Sequence, residues 1–234
     1  MNVVAGTQAL APNLSTFFLG VAGTPPYTYV VLAGGAGGTI LPSGQYTAPS
    51  VTGSDTIRVT DSLAAFADLS ILIGTPLELF CDIIQKELSL TDDQIFLWDQ
   101  KINIPTDSRL YVAISVVSCK PFGNNNRFNA GDAQQSLNML AVVGVDILSR
   151  GPDARDRKEE IILALNSTYA QQQQELNSFY LGKLSTGFVN LSEIDGMAIP
   201  YRFNISFNMQ YIVNVTKPVQ YYDDFDSADI TTES

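Results

Sequence analysis

Tyr201-Arg202-Phe203-Asn204-Ile205-Ser206-Phe207-Asn208-Met209-Gln210-Tyr211-Ile212-Val213-Asn214-Val215 is the stretch that decides how this chain folds. Every odd-numbered residue in it is apolar, and every even-numbered one except Ile212 is polar or charged. A period of two sustained this long sets one row of side chains on a buried face and the other toward solvent, which predicts a long antiparallel β-strand. One greasy and one amide-rich face suit a scaffold or an assembling surface better than an active site. The amide side, Asn204, Ser206, Asn208 and Gln210, is the candidate for a surface that faces another subunit or a lumen.

Upstream, Gly151-Pro152-Asp153 opens a helix expected to run from Asp153 to Leu181, with Asp153 in its first turn or at its N-cap. Ile161, Ile162, Leu165, Tyr169, Leu176, Phe179 and Tyr180 recur at intervals of three and four, a stripe that would lie on a sheet. Gln171 to Gln174 interrupts the stripe, so Gln172 and Gln173 are expected on a solvated or subunit-facing side. Strands are predicted at Ile95 to Trp98, Arg109 to Ser118, Asn138 to Leu148 and Gly187 to Leu191, with a turn at Asp195-Gly196. Pro121 to Asp132, with Gly123, Asn124, Asn125, Asn126 and Arg127, reads as a polar loop too long for a tight hairpin. Loops of this kind contact a neighbour or are disordered, which makes Asn124, Asn125 and Arg127 interface candidates. At Thr75-Pro76, proline stops the preceding strand and presets a helix in which Leu79, Ile83, Ile84 and Leu88 fall at helical spacing. Residues 76–222 therefore read as an α+β domain, a mostly antiparallel sheet covered by helices on one face. Residues 223–234, with Asp223, Asp224, Asp226 and Asp229, form an acidic tail.

Residues 1–75 have a different character. Most of the glycines and prolines lie here, including the run Gly34-Gly35-Ala36-Gly37-Gly38. Short β-rich runs separate them: Thr16 to Leu19, Tyr27 to Leu32, Thr56 to Thr60 and Ala67 to Ile73. Even spacing with turn chemistry predicts a small all-β sandwich, in which Ile57 and Val59 face inward. The chain thus divides into two domains.

Charge and composition narrow the function. The net charge is −11, which disfavours wrapping of nucleic acid, because tight binders neutralise phosphates with clustered Lys and Arg. An acidic surface suits something that DNA slides through without sticking. The one basic cluster, Arg150, Arg155, Arg157 and Lys158, is interleaved with Asp153, Asp156, Glu159 and Glu160 and reads as a salt-bridged helix face. No stretch is long and apolar enough to span a bilayer, and Met1-Asn2-Val3-Val4 lacks the form of a signal peptide. Assembly in a cytoplasm is expected, with Cys81 and Cys119 as buried free thiols.

Histidine is absent. This removes the commonest general base, the Ser-His and Cys-His nucleophile pairs and the commonest metal ligand, so no enzyme, cofactor or metal is expected. The glycine run is followed by no Gly-Lys-Ser/Thr and opens no helix, so it reads as a turn rather than a phosphate loop. The aspartates of the tail lack the central glycine and terminal glutamate of a calcium loop. Asp92-Asp93 reads as turn chemistry rather than an acid/base pair, and Trp98 as a core residue. Amides are abundant instead, and they hydrogen-bond without charge, which suits packed interfaces.

Two resemblances follow from particular residues. Gly23-Thr24-Pro25-Pro26-Tyr27-Thr28-Tyr29, Gly44-Gln45-Tyr46-Thr47-Ala48-Pro49 and Ile57-Arg58-Val59-Thr60-Asp61-Ser62 make residues 9–73 resemble the bacterial immunoglobulin-like domains of surface and phage proteins. The paired cysteines and core tryptophan of antibody domains are lacking. Residues 77–225 are similar to phage neck and tail-terminator proteins. The similarity rests on a helix beginning at Ala154-Arg155-Asp156-Arg157 and passing through Ile161-Ile162-Leu163-Ala164-Leu165. A short strand ending near Asp195-Gly196 follows, then the aromatic alternating strand, then Tyr221-Tyr222-Asp223-Asp224-Phe225.

That resemblance implies a virion protein: a ring, usually a hexamer, that caps the tail tube and offers a docking face to head-side connector proteins. Its expected partners are itself, tube and sheath proteins and the connector, with DNA passing through the lumen unbound and no membrane involved. The family brings no catalytic residues. An adhesion or carbohydrate-binding protein is the alternative, and it predicts exposed aromatics in the sandwich loops, such as Tyr27 or Tyr46.

Overall fold

The computed structural model describes residues 1–97, 106–129, 132–182, 187–192 and 201–218. Strand dominates, arranged in several sheets with few helices. Eight strands come first: β1 (Asn2–Ala5), β2 (Ala9–Leu10), β3 (Ser15–Val21), β4 (Thr28–Val31), β5 (Thr39–Ile40), β6 (Gln45–Thr47), β7 (Gly53–Thr60) and β8 (Phe66–Ile73). They form two four-stranded sheets, ordered β1-β3-β6-β5 and β2-β8-β7-β4. Between them lie Leu10, Phe18, Tyr46, Ala48, Ile57, Val59, Ile71 and Ile73, all buried. Strand β3 alternates exposed and buried along its length, as a strand with one covered face must.

The glycine run holds an anion after all, and the anion belongs to the chain itself. Asp55 is 1 % exposed; its carboxylate accepts hydrogen bonds from Gly37 N (3.0 Å), Gly38 N (2.7 Å) and the Tyr46 hydroxyl (2.6 Å). Glycine is required for this approach: a Cβ on Gly38 would occupy the space of the Tyr46 ring and hydroxyl, and Gly37 sits at φ +97°. Burial alone would raise the Asp55 carboxyl, but the bonds from Tyr46 and the loop amides outweigh it and hold the group below the ordinary carboxylate range. Burial, followed by the bond to Asp55, pushes the Tyr46 hydroxyl up.

Helix α1 (Pro76–Glu87) follows, with Thr75 as N-cap, Glu78 completing the capping box and Pro76 in the first turn. Then come β9 (Ile95–Leu97), β10 (Tyr111–Asn129), β11 (Asp132–Ser149), α2 (Asp153–Arg157), α3 (Glu160–Leu165), α4 (Thr168–Asn177), β12 (Phe179–Leu181), β13 (Val189–Asn190) and β14 (Tyr201–Pro218). The strands form one sheet ordered β12-β14-β11-β10-β9, with β13 also on β14. Every pairing is antiparallel except that of β9 with β10. The helices cover one face of this sheet, and the core beneath them joins Leu79, Phe80, Ile83, Ile161, Ala164 and Leu165 to Val143, Val145 and Ile205.

Three expectations are corrected. The helix predicted over Asp153 to Leu181 is three short helices. Ser167 leaves the helical region (ψ 162°) and caps a new start by accepting from Ala170 N, while Ser178 at φ +54° ends α4 and turns Phe179 to Leu181 into a strand. Leu176 and Tyr180 accordingly face solvent. The loop predicted over Pro121 to Asp132 is instead the outer half of a hairpin, since β10 and β11 stay paired from Tyr111↔Leu148 out to Asn129↔Asp132. Its polar composition hid the strand because few buried side chains mark a period there; pairing to β11, itself templated on β14, overrides weak local propensity. Cys119 is exposed rather than buried, because among the described residues no second layer covers β10 at that point.

Cys81 is half-buried, its thiol pushed up to about 12 by burial and then by the carboxylates of Glu78 and Asp82. The salt-bridged reading of α2 and α3 holds: Arg155 pairs with Asp156, Arg157 with Glu160 and Lys158 with Glu159. Trp98, the turn at Asp195-Gly196 and the acidic tail lie outside the described residues.

Strand β2 belongs to both cores. Ala9 packs with the helices and Leu10 with the sandwich, and the segment pairs in parallel with β8. From the other side, Gln173 Nε2 donates to Thr7 Oγ1 at 2.9 Å, and Ala11 N donates to Asn177 Oδ1 at 2.6 Å. Two buried amides on α4 thus hold the start of the chain.

Replacing Asp55 with Asn should destabilise the protein by about 2–3 kcal/mol at neutral pH, the range for charge-assisted bonds at a buried site. Because the folded carboxyl titrates below its unfolded value of about 3.9, the stabilisation is full above that value and fades as pH falls through the folded one. Urea denaturation should therefore show the gap between wild type and D55N narrowing only in strong acid.

Candidate assembly surface

The alternating strand behaves as read along its first half. Phe203, Ile205, Phe207 and Met209 are buried against the helices, with the Phe80 and Phe207 rings 6.2 Å apart. Each such side chain contributes roughly 1.5–3 kcal/mol of burial. Beyond Met209 the burial fades: Ile212 is 50 % and Val213 41 % exposed. In the sheet the strand lies between β11 and the short strands β12 and β13. It pairs with β11 over its whole length, but on its other side, among the described residues, with β13 at Asn204 and Phe203 and with β12 at Met209 to Tyr211.

What continues past the core is a three-stranded arm made of residues 118–129, 132–142 and 210–218. At about 3.3 Å per residue it extends roughly 35 Å. Two register shifts, at Val116/Ser118 and Pro121/Gly123, interrupt β10 at its base, and such bulges bend and twist a strand. Val117 and Phe122 are 64 % and 57 % exposed. Cys119 Sγ lies 3.4 Å from the Tyr211 hydroxyl, and this contact, with partial burial, pushes that hydroxyl up to about 12. A cleft of about 1000 Å³ opens where the arm meets the sandwich, between Pro12, Leu14 and Pro76 on one side and Ala141, Tyr211 and Val213 on the other.

Register sorts the sequence-derived candidates, since directly paired residues share a face. Asn204, Ser206, Asn208 and Gln210 pair with Asp146, Gly144, Val142 and Leu140. Asn125 and Arg127 pair with Ser136 and Gln134, further along the same face of β11. These six residues therefore line one continuous side of the sheet, the one turned away from the helices. Asn124 pairs with Leu137 and faces the opposite way. Gln172 is exposed on α4, apart from the strip. Gln173 is 2 % exposed and bonded to Thr7, so it is an internal fastener and not an interface residue; the helix break at Ser167 rotates it inward.

Asp146 is a member of this face that the strand pattern did not single out. It is 7 % exposed and accepts from Arg202 Nε (3.3 Å) and Asn204 Nδ2 (3.2 Å). A carboxylate inside the apolar run from Leu137 to Leu148 was the available sign, since a buried charge requires partners. Asn204 is thereby committed inside the chain, and Asn208 and Gln210, whose amides have no side-chain partner among the described residues, lie closer to the arm. Among the described residues, no cluster of three or more Cys, Asp or Glu converges to hold a metal ion, and no helix is long and apolar enough to cross a membrane.

No family model and no curated protein matches the chain.

Neighbouring substitutions should separate the two faces. Phe207→Ala should cost about 3–5 kcal/mol of stability as a cavity forms under the helices, whereas Asn208→Asp with Gln210→Glu should stay within about 0.5 kcal/mol. Gln173→Ala should cost about 1–3 kcal/mol by leaving Thr7 and Asn177 short of partners, and Gln172→Ala almost nothing. Equilibrium denaturation of the four variants checks this.

Proposed function

We propose that the chain is a structural protein of a tailed-phage virion, a ring-forming tail terminator or neck component that caps the tail tube and joins it to the head connector. The observation that carries the reading is the arm. A folded body ends in a long, three-stranded extension on which, among the described residues, Phe122, Ile212 and Val213 and the amides Asn124, Asn125 and Asn214 stand exposed, and such a surface is made to be covered by assembly. Among the described residues its outer strands, past the β12 pairing that ends at Tyr211, have no partner on their outer edges, which favours extension of a neighbour's sheet. Subunits that meet through two different surfaces close into a ring when the rotation between them permits, and an acidic lumen would let DNA pass.

On this reading residues 1–75 are an immunoglobulin-like module and residues 76–222 the assembling domain. The module sits on the outside of the neck, and the protein is not an enzyme. Residues 1–54 contain no Asp, Glu, Lys or Arg, and Val4 and Leu19 pair across neighbouring strands beside Phe17, all exposed. A neutral, partly apolar sheet face suits contact with other virion proteins. The adhesion alternative gains less support: Tyr46 is fully buried and Tyr27 half-buried, its hydroxyl on Gly23 O.

Light scattering on the chromatographed protein, followed by electron microscopy, is the test. Closed rings of about six subunits, the number usual in the family the chain resembles, are expected at high concentration. A monomer up to the solubility limit, with no capping of added tail tubes, would count decisively against the proposal.

A further inference from the structure

Two exposed cations of the described residues stand on the arm. Arg58, Lys86, Arg109, Arg155, Arg157, Lys158 and Arg202 all have carboxylate partners. Lys120 and Arg127 are exposed and make no ion pair among the described residues. In a chain of net charge −11, the arm carries Lys120, Arg127 and Lys217 against Asp132 alone. Phe122, the extra residue of the second bulge, stands exposed between the two unpaired cations.

The complementary surface lies elsewhere on the same molecule. Between α1 and β9 runs a groove of about 360 Å³ with an apolar floor that includes Leu72, Ile95 and Leu97 and a rim formed by Glu78, Asp82 and Asp92. Lys86 offsets one of these, 3.2 Å from Asp82, and the rest of the rim stays acidic. The Cys81 thiol at the groove is raised by burial and then by Glu78 and Asp82.

An arm cannot fill its own groove. The groove lies on the helix-covered side of the sheet, beside β9, which pairs with β10 only at Val112 to Ile114. Lys120 and Arg127 pair with Leu140 and Gln134, on the other side, and β10 runs away from β9 toward the arm tip. The two surfaces thus lie on different sides of the sheet.

We propose, building on the ring reading above, that copies associate head to tail, the arm of one seating Lys120, Phe122 and Arg127 in the Glu78, Asp82 and Asp92 groove of the next. The occupant is a second copy of this chain. Opposite charge steers the encounter and sets the register, while Phe122 supplies the apolar anchor. A contact between two unlike surfaces leaves one of each free and so propagates around a ring.

A charge swap tests it, read by sedimentation of the full chain, with circular dichroism confirming that each variant is folded. K120E/R127E should weaken association by at least about tenfold, as removal of interfacial charge pairs does. Adding Asp92→Lys to that variant should recover most of the loss, and D92K alone should weaken association. If wild type assembles and K120E/R127E assembles equally well, the arm contact is wrong while the ring reading survives. Loss without recovery would overturn the groove as acceptor. A wild type that stays monomeric at every concentration would overturn both, and an arm variant that keeps self-association but no longer joins tail tubes would assign the arm to a different protein.

Discussion

The pairing of β14 with β11 is the constraint on which the rest depends. It runs without a register shift from Ser149↔Tyr201 to Asp132↔Pro218. Along its first half the odd residues of β14 are sealed beneath the helices; along its second half the same ladder leaves the body and becomes the arm. Because a slip of one residue would exchange the two faces of the whole strand, the buried set Phe203, Ile205, Phe207 and Met209 also sets which way Gln210, Asn214 and their β11 partners point. The core therefore positions a surface that lies well outside it.

A second set of polar fasteners joins the sandwich to the helices. Leu10 and Ala9, adjacent in sequence, face different cores, and Gln173 and Asn177 hold the segment against α4 by buried amide bonds. The glycine loop does similar work within the sandwich, gripping Asp55 with backbone amides and the Tyr46 hydroxyl. In both places a polar group is buried only with its partners in place, and among the described residues no buried side-chain nitrogen or oxygen lacks one.

Period and punctuation made much of this legible from the residues alone. Thr75-Pro76 marked the start of α1, the alternation of Ile57 and Val59 marked the sandwich core, and Tyr201 to Met209 marked the covered strand. Where the reading went astray, side chains gave no period to follow. From Pro121 to Arg127 the strand is exposed, so amides and glycine looked like a loop; its β-structure comes from the neighbour it pairs with. Apolar spacing from Ile161 to Tyr180 suggested one helix, but Ser167 could cap and Ser178 could turn, and those local bonds outweighed the stripe. Gln173 looked like surface because its partner, Thr7, is distant in sequence. The acidic groove was invisible for the same reason, being assembled from α1, β8, β9 and the turn at Asp92.

Hydrogen–deuterium exchange along β14, compared between dilute and assembled protein, tests the central claim most directly. Amides from Phe203 to Met209 should exchange slowly in both states, because the helix-covered core protects them. Those of the arm, in β10 from Lys120 to Arg127 and in β14 beyond Tyr211, should exchange quickly when dilute and become protected on assembly. Arm amides that exchange equally fast in both states, while the protein demonstrably assembles, would contradict the account.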